Sequence, residues 1–359
     1  MRAALVLAAR GLGQVAPNPA VGCVLVDPDQ NRVVGRGWTQ PTGRPHAETE
    51  ALGRAGSKAR GATAYVTLEP CSHHGRTPPC VDALIAAGIK RCVIALGDPD
   101  PRVDGGGIAG LKEAGIEVTT GLMAAEAQRL NIGFLTRLEL GRPFVTWKAA
   151  TSLDGRIAMA DGSSQWITGE QARQRGHLMR ATHDAIIVGI GTALADKPSL
   201  TCRLPGMKGR SPIRVVVDSR GRLPLDHPLV TSAHQTRTWL VTAGDLHHDK
   251  AEDLRKAGVN LLQAPPTPDG RVDIDDLLQI LGGQGLTRVL LEGGGALSAS
   301  FLNAGAIDEI AWFRAGLLIG ADGIPVTDAV SGKTLEDLPR FQGQEMQALG
   351  ADVLEMFRA

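Results

Sequence analysis

Residues 64–80 read AYVTLEPCSHHGRTPPC, and this stretch decides the fold of the first half of the chain. Its first five residues are mostly apolar or β-branched, as expected of a buried strand. Pro70-Cys71 follows that strand, and Cys80 opens the next helix-like segment after eight intervening residues. Further upstream, His46-Ala47-Glu48 opens another helix-like segment. Three residues that can bind a metal therefore each stand at the boundary of an element.

The ligand types at these three boundaries indicate zinc. One histidine and two cysteines (His46, Cys71 and Cys80) suit zinc with its fourth coordination position open, which is typical of a catalytic site. A water bound in that position is acidified toward neutrality. Glu48 is close enough to take a proton from such a water and to deliver it to a leaving amine. The sequence thus predicts a zinc site with Glu48 as its proton shuttle.

Each of these residues on its own has a less specific interpretation. A lone histidine at a helix surface is commonly solvated, and a lone cysteine is commonly a buried packing residue. The combination with a carboxylate favours the metal site. Glu50, the competing carboxylate, is rotated by roughly 200° around the helix from Glu48, which predicts a surface position. Cys23, Cys92 and Cys202 are expected to be packing residues.

Strand-like and helix-like stretches alternate through the first half. Apolar strands separated by helices indicate a mostly parallel sheet that is covered on both faces. A domain boundary is expected near Gly141-Arg142-Pro143, where a charged helical stretch ends and a new strand-like run begins. The predicted strands are 20–26, 64–68, 91–96 and 116–120, and the predicted helices are 47–55, 81–87 and 108–114.

The second half alternates in the same way. Glu292-Gly293-Gly294-Gly295 follows a strand and opens a helix, an arrangement that lets a phosphate approach the backbone at a helix N-terminus. The glycine order is not that of a dinucleotide-binding GxGxxG motif. The predicted strands are 144–148, 185–188, 213–217, 239–242, 259–263 and 289–291, and the predicted helices are 171–180, 250–256, 274–281 and 297–303.

Composition excludes several classes of protein. Of the 359 residues, 38 are Lys or Arg and 38 are Asp or Glu, so the formal charge is zero and a polyanion partner is not expected. With 5 Trp, 1 Tyr and 6 Phe, a nucleic-acid binder built on base stacking is not expected either. No apolar run approaches the roughly 20 residues of a membrane helix. Five cysteines, an odd and sparse set, indicate a reducing compartment, so we expect a cytoplasmic protein.

Taken together, His46-Ala47-Glu48, the block 64–80 and Asn18-Pro19-Ala20-Val21-Gly22 resemble the bifunctional riboflavin-biosynthesis deaminase–reductases. Cytidine and tRNA-adenosine deaminases commonly have two residues between the cysteines, whereas this chain has eight. The resemblance implies an α/β protein with two domains. Residues 1–142 would form a cytidine-deaminase-like three-layer α/β/α domain, and residues 143–359 a dihydrofolate-reductase-like α/β domain.

The same resemblance implies two reactions and two cofactors. A zinc-activated water would deaminate 2,5-diamino-6-ribosylamino-4(3H)-pyrimidinone 5′-phosphate, and NADPH would then reduce the ribosyl side chain to ribityl 5′-phosphate. In the first domain, Asn18, His73 and Arg76 would hold the pyrimidine and its phosphate. A homo-oligomer is expected at the level of the family.

The reductase motifs that carry the resemblance are KAATSLDG at 148–155, SQWIT at 164–168, GIGTALADKPSLTCR at 189–203 and the glycine-rich loop. Two arginines suit a phosphate clamp. The resemblance assigns the substrate to Ser164, Arg180, Leu200, Arg203 and Glu292, with Lys148 and Asp154 placed to assist ring opening and protonation. It assigns NADPH to Ala150, Trp166, Thr192, Asp196, Ser219, Gly294, Gly295, Ala296, Leu297, Ser298, Ala299 and Ser300.

Two alternatives stay open from the sequence. The chain could be a nucleoside or tRNA-base deaminase with an accessory domain, which the eight-residue cysteine spacing and the neutral charge disfavour. It could also be a zinc-stabilised binding protein without activity. A structural zinc normally has four protein ligands, so a fourth ligand from His73 or Cys92 would favour that alternative.

Overall fold

The computed structural model describes residues 1–73 and 78–359, and the chain divides into two compact units, Met1–Gly141 and Arg142–Ala359. The first unit has a core of small and aliphatic side chains, and the second has a larger core that includes Trp147 and Phe301. Within the described ranges, every helix is too short or too polar to cross a bilayer.

The first unit is built on one mixed sheet whose strands lie in the order β2-β1-β3-β4-β5 over the residues described. Its helices are α1 (Arg2–Ala8), α2 (Ala47–Ala55), α3 (Cys80–Ala86), α4 (Gly106–Glu113), α5 (Ala124–Leu130) and α6 (Ile132–Leu140). Its strands are β1 (Gly22–Asp27), β2 (Arg32–Trp38), β3 (Thr63–Val66), β4 (Arg91–Ile94) and β5 (Glu117–Thr120).

Strand direction in this sheet differs from the expectation of a mostly parallel sheet. Strands β3, β4 and β5 are parallel, but β1 runs antiparallel to both β2 and β3. The sequence analysis did not predict β2. Its glycines, Gly35 and Gly37, have low strand propensity and hide the pattern.

Those two glycines set the distance between β2 and α2. A Cβ atom on Gly35 would lie 2.3 Å from the Ala51 carbonyl oxygen, and one on Gly37 would lie 2.1 Å from the Ala47 carbonyl oxygen. The helix backbone therefore packs directly on the strand backbone, which only glycine allows. This contact fixes the start of α2, which follows His46.

The second unit, all of whose residues are described, is built on a nine-stranded sheet in the order β11-β10-β9-β8-β12-β6-β13-β16-β15. Its helices are α7 (Glu170–Thr182), α8 (Ile190–Asp196), α9 (Pro228–Thr231), α10 (His248–Lys256), α11 (Ile274–Gly283) and α12 (Gly295–Asn303). Its strands are β6 (Phe144–Thr151), β7 (Arg156–Ala158), β8 (Ala185–Gly189), β9 (Ile213–Val217), β10 (Thr238–Thr242), β11 (Val259–Gln263), β12 (Arg288–Leu291), β13 (Glu309–Arg314), β14 (Ile324–Pro325), β15 (Gln342–Leu349) and β16 (Asp352–Arg358).

The seven strands from β11 to β13 are parallel, and β16 and β15 complete the sheet as an antiparallel hairpin. The carboxyl ends of β9, β8, β12 and β6 thus lie along one edge of the sheet, where ligands of open α/β sheets bind. The start of the unit is held by Arg142, whose guanidinium donates to both carboxylate oxygens of Asp308 at 2.8 Å. Asp308 also accepts a hydrogen bond from the Val145 amide at 2.7 Å.

Candidate functional site

The predicted metal ligands come together in the first unit. His46 is the extended residue before α2, Cys71 follows β3, and Cys80 is the first residue of α3. His46 Nδ1 lies 3.3 Å from Cys80 Sγ and 3.6 Å from Cys71 Sγ, and the ligand atoms all lie within 4.8 Å of one another. Tetrahedral zinc with ordinary Zn–S and Zn–N bonds separates its ligand atoms by roughly 3.5 Å. The spacing therefore fits zinc.

The protonation chemistry of the two thiols also fits a metal. Hydrogen bonding from the Cys80 thiol, and then from His46, lowers the pKa of Cys71 to about 4. The Cys80 backbone amide, at the N-terminus of α3, adds a donor 3.4 Å from the Cys71 sulfur. Hydrogen bonding to Cys71 and burial raise the pKa of Cys80 far above its usual range. Without a metal, Cys71 is thus a thiolate that accepts a hydrogen bond from the Cys80 thiol. A divalent cation bound by both sulfurs would displace that thiol proton.

Glu48 is almost completely buried, with 3% of its surface exposed. Burial raises the pKa of this carboxyl to about 7. Together with His46 and Cys71 it lines a cavity of about 250 Å³. A carboxyl group thus faces the same space as two candidate metal ligands, as the sequence predicts. The cluster of possible ligands found among the described residues contains three members, and neither His73 nor Cys92 joins it.

The structure also places Asn18 and His73 in the wall of this cavity. Arg76 lies outside the described residues. Sequence reasoning missed several charged groups that line the same space. They come from separate loops and helices, and they are Arg44, Asp98, Asp100, Arg102 and Arg137.

A sequence signal existed for two of these groups. Asp98-Pro99-Asp100 follows β4, the parallel neighbour of the strand that precedes Cys71, so its side chains reach the same edge of the sheet. Burial raises the pKa of Asp98 to about 6. The guanidinium of Arg102 donates to Asp100 through Nε at 2.9 Å and holds the pKa of that carboxyl below its ordinary value.

The second unit contains a separate cavity of about 230 Å³. It brings together predicted substrate residues from β6, α7, the segments around 164 and 203, and the carboxyl end of β12. The exposed Trp166 ring also lies there, with the Arg173 guanidinium 4.7 Å from its centroid. The predicted residues in its wall are Lys148, Ala150, Ser164, Trp166, Arg180, Arg203 and Glu292.

In the wall of this cavity, Arg180 and Glu292 form a bidentate ion pair. Arg180 Nε and Nη2 donate to the two oxygens of Glu292, each at 2.8 Å, and Lys148 Nζ lies 3.9 Å from the same carboxylate. Burial alone would raise the pKa of Glu292, but Arg180 and Lys148 outweigh it and lower that pKa to about 2. In this structure, the bidentate hydrogen bonds of Arg180, which the sequence suggested for a phosphate, are therefore made to Glu292.

Two other predicted substrate residues have internal contacts. Asp154 accepts hydrogen bonds from the Ser152 hydroxyl at 2.6 Å and from the backbone amides of Ile319 and Gly320 at 3.2 and 2.7 Å. These donors lower the pKa of Asp154 to about 2. Leu200 is buried in the cluster that packs around β8 and β9. Asp154 thus tethers a loop, and Leu200 is part of the core.

Most residues predicted to bind NADPH follow the carboxyl ends of β9, β8 and β12, whereas Ala150 lies within β6 and Trp166 in the segment after β7. Thr192 Oγ1 accepts a hydrogen bond from the Gly294 amide at 3.0 Å, which joins α8 to the glycine-rich loop. Ser219 Oγ accepts from the Val272 amide at 3.0 Å, and Asp196 is the last residue of α8. This edge offers backbone amides and hydroxyls to a nucleotide phosphate.

The glycine-rich loop has a packing role as well. The backbone amide of Asp328 donates to the Gly295 carbonyl at 3.1 Å, and a Cβ atom on Gly295 would lie 2.5 Å from Asp328 Oδ1. Beyond Gly295, α12 presents Ala296, Leu297 and Ser300 at partly or fully exposed positions, whereas Ser298 and Ala299 are buried.

Comparison with known proteins covers both units. The family "Cytidine and deoxycytidylate deaminase zinc-binding region" matches residues 1–96, and the family "RibD C-terminal domain" matches residues 143–354. The riboflavin biosynthesis protein RibD of Escherichia coli K12 is 43% identical, over 98% of this chain and 96% of the relative. The protein of the same name from Bacillus amyloliquefaciens is 42% identical, over 98% and 94%.

Solved structures agree with these relatives. RibD from Acinetobacter baumannii (form 1) superposes with a TM-score of 0.87 at 40% identity, covering 99% of this chain and 97% of that one. The deaminase/reductase of Thermotoga maritima gives a TM-score of 0.87 at 34% identity, covering 100% and 97%. Resemblance at this level over both units excludes a nucleoside or tRNA-base deaminase with an unrelated accessory domain. The chain belongs to the bifunctional riboflavin-biosynthesis deaminase–reductase family, whose members combine a zinc-dependent deaminase with an NADPH-dependent reductase.

Proposed function

We propose that residues 1–142 carry out the deamination and residues 143–359 the reduction, on a shared pyrimidine ribosyl phosphate. The substrate of the first step is 2,5-diamino-6-ribosylamino-4(3H)-pyrimidinone 5′-phosphate. The observation that carries this proposal is the cluster of His46, Cys71 and Cys80 beside the buried Glu48. The printed title of the Thermotoga relative names both reactions.

In the first unit, His46, Cys71 and Cys80 would hold the zinc ion. Zinc supplies an activated water when it is bound. With zinc bound, the Glu48 carboxylate would take a proton from the water as the water oxygen bonds to the amino-bearing carbon, and would deliver that proton to the amino group, which leaves as ammonia. The burial of Glu48 supports this role, because a carboxyl that is shielded from solvent exchanges its proton with the substrate.

Asn18, His73 and Arg76 hold the pyrimidine and its phosphate. The positions of Asn18 and His73 in the cavity wall support this, and Arg76 is carried by the family motif alone. An amide can both donate and accept, as the edge of a pyrimidinone requires. Arg44 and Arg137 of the same wall add positive charge for a phosphate-bearing substrate, whereas Arg102 is paired with Asp100.

In the second unit, Lys148, Ser164, Arg180, Arg203 and Glu292 bind the deaminated substrate, and the buried Leu200 and the tethered Asp154 support the site. NADPH supplies the hydride that converts the opened ribose to ribityl. Lys148 is partly buried beside Glu292, and desolvation lowers the pKa of its ammonium group. It is thus suited to give a proton to the sugar oxygen, while Arg203 takes the phosphate and Glu292 accepts from sugar hydroxyls.

The cofactor itself lies along the carboxyl edge of the sheet. Ala150 and Trp166 line the substrate cavity, which supports a position for them beside the cofactor. The adenosine and phosphate portions contact a larger set of residues along α8, after β9 and at the start of α12. That set is Thr192, Asp196, Ser219, Gly294, Gly295, Ala296, Leu297 and Ser300, while the buried Ser298 and Ala299 support α12 from the core side.

The proposal extends to the oligomeric state of the protein and to the compartment in which it works. We propose a homo-oligomer that works in a reducing, cytoplasmic compartment on small-molecule substrates and without nucleic acid. The cysteines support the compartment, since all five are free thiols in the described structure. Sedimentation analysis of the purified protein tests the oligomer.

The experiment that tests both activities uses one mixture. The zinc-loaded protein receives the diaminopyrimidinone ribosyl phosphate, with and without NADPH, while ammonia release and the near-ultraviolet absorbance of NADPH are followed together. We expect ammonia without NADPH, and loss of NADPH absorbance only after deamination has begun. Ammonia alone would contradict the reductase assignment, and neither signal would contradict both.

A further inference from the structure

His177 lies in the wall of the reductase cavity, and none of the roles above uses it. It stands on α7, one turn before Arg180, and its ring is half-buried. Its Nε2 atom lies 3.4 Å from Nε of Arg203, a residue that lines the same cavity and has an exposed side chain. A histidine therefore contacts one of the cations proposed to bind the substrate.

The chemistry of arginine fixes the form of the histidine. A guanidinium group stays charged and offers only hydrogen-bond donors. His177 Nε2 must therefore be the acceptor, and the ring is neutral with its proton on Nδ1. That atom is buried and makes no hydrogen bond of normal geometry, although the ring lies close to the carbonyl group of Thr201. The same carbonyl accepts a hydrogen bond from Arg180 Nη1 at 3.2 Å.

We propose that neutral His177 is a positioning residue that holds the Arg203 guanidinium toward the phosphate of the reductase substrate. An exposed arginine otherwise samples many rotamers, and fixing one of them before the substrate arrives lowers the entropy cost of binding. This inference rests on the proposed role of Arg203. Arg180 is already held by Glu292, so Arg203 is the cation of this pair that needs a second anchor.

Charges around the ring oppose its protonation. Burial lowers the pKa of His177 first, and the neighbouring arginines 180 and 203 lower it further. Protonation would remove the acceptor and bring two cations to 3.4 Å, so acid should release Arg203. The charged groups that face the ring or share its cavity are Arg173 and Arg180 on α7, Lys148 on β6, Arg203, and Glu292 after β12.

Three variants test the inference by steady-state reductase kinetics with the deaminated substrate, 5-amino-6-(5-phosphoribosylamino)uracil. His177→Leu removes the acceptor, and we expect KM to rise about three- to tenfold, with kcat within about twofold. His177→Gln keeps an acceptor, and we expect KM within about twofold of the wild type. Gln174→Leu, an exposed change on the same helix, is the matched control and should leave both constants unchanged.

The dependence on pH separates positioning from mere packing. Between pH 7.5 and pH 5, the substrate phosphate gains a proton in both proteins. Once the pH falls below the lowered pKa of His177, we expect KM of the wild type to rise more steeply than KM of His177→Gln, because only histidine gains a charge. Parallel profiles would overturn the inference, and this comparison holds even if His177→Leu does not fold.

A double variant distinguishes this inference from the role of Arg203. We expect Arg203→Ala to raise KM, and His177→Leu to add little in the Arg203→Ala background. Equal effects of His177→Leu in both backgrounds would overturn the positioning role while leaving Arg203 in place. An unchanged KM in Arg203→Ala would instead overturn the proposed role of Arg203 and, with it, this inference.

Discussion

Glu69, the residue two positions before Cys71, holds the cysteine loop through backbone contacts. Its carboxylate is buried and accepts hydrogen bonds from the Ile108 amide at 3.0 Å and the Asp98 amide at 3.2 Å. Its own amide donates to the Leu96 carbonyl at 2.8 Å. One side chain thus connects the ends of two strands and the first turn of α4. The position of Cys71, a proposed metal ligand, thus depends on a residue outside the proposed ligand set.

Replacing Glu69 by Gln should weaken this connection. A glutamine side chain has one oxygen to offer and turns its NH₂ group toward one of the two backbone donors, which leaves a buried donor unpaired. We expect a loss of about 1–3 kcal/mol in the free energy of unfolding and weaker zinc retention. Chemical denaturation and zinc analysis after gel filtration measure both. Unchanged zinc content and stability would contradict the role of Glu69.

Glu48→Gln tests the proton shuttle. The amide keeps the shape of the side chain but cannot take a proton from water, so ammonia release should fall by at least about two orders of magnitude. Zinc content and reductase turnover should match the wild type. Deamination that persists within about tenfold would exclude Glu48 from this role.

Single residues were predictable where chemistry limits the choice of side chain. The three ligands of a zinc site must be of a few residue types at element boundaries, so His46, Cys71 and Cys80 could be found from the sequence. The arginines of the same cavity could not. Arginine is common on surfaces, and only the folded chain brings Arg44, Arg102 and Arg137 to one wall.

At the scale of elements, the contact between α2 and β2 determines where His46, the proposed zinc ligand, and Glu48, the proposed proton shuttle, lie. The strand contributes no side chain at Gly35 and Gly37, so the helix rests on bare backbone. Helix and strand are thereby closer than ordinary side chains would permit. A shift of α2 by the width of a methyl group would move His46 and Glu48 together.

Gly37→Ala should therefore destabilise the first unit and impair deamination. The added methyl meets the Ala47 carbonyl oxygen at 2.1 Å, and we expect a loss of about 1–3 kcal/mol in the free energy of unfolding. Gly53→Ala is the matched control within α2, because nothing lies within 4 Å of its Cβ position. That change should stabilise the helix by about 0.5–1 kcal/mol. Equal effects of the two changes on denaturation would contradict this account.

Helices and strands were predictable where a single hydrophobic pattern in the sequence marks their bounds. Buried parallel strands read as continuous apolar runs, so β9 (Ile213–Val217) and β11 (Val259–Gln263) have the predicted bounds. The hairpin of β15 and β16 was not predicted. Strand β15 is exposed along all but its last residue and carries mainly polar side chains, so its sequence has no apolar periodicity. Its pairing to β16 depends on long-range contacts that periodicity cannot reveal.

At the scale of the whole molecule, each unit has a hydrophobic core and a cavity of its own. Two of the proposed zinc ligands, His46 and Cys71, line the cavity of the first unit, and the Arg180–Glu292 pair lines that of the second. The sequence indicated two domains because strand and helix patterns restart after a charged helix. The described structure divides between Gly141 and Arg142.

Removing zinc with a chelator should separate the two activities. Ammonia release should fall at least about tenfold, whereas reduction of the already deaminated pyrimidine should stay within about twofold of its initial rate. The reason is that the metal ligands all belong to the first unit. Added Zn²⁺ should restore ammonia release. Parallel loss of both activities would show that the reductase depends on the metal.

The ion pair of Arg142 with Asp308 has a consequence for expressing the reductase unit as a separate protein. An open reading frame for the reductase alone should begin no later than codon 142. A product starting at Phe144 would lack the arginine, and its Asp308 carboxylate, mostly shielded from solvent, would keep only the Val145 amide as a partner. The two residues before Phe144 would thus determine whether the first strand of the truncated enzyme, β6, keeps the ion pair that anchors its start.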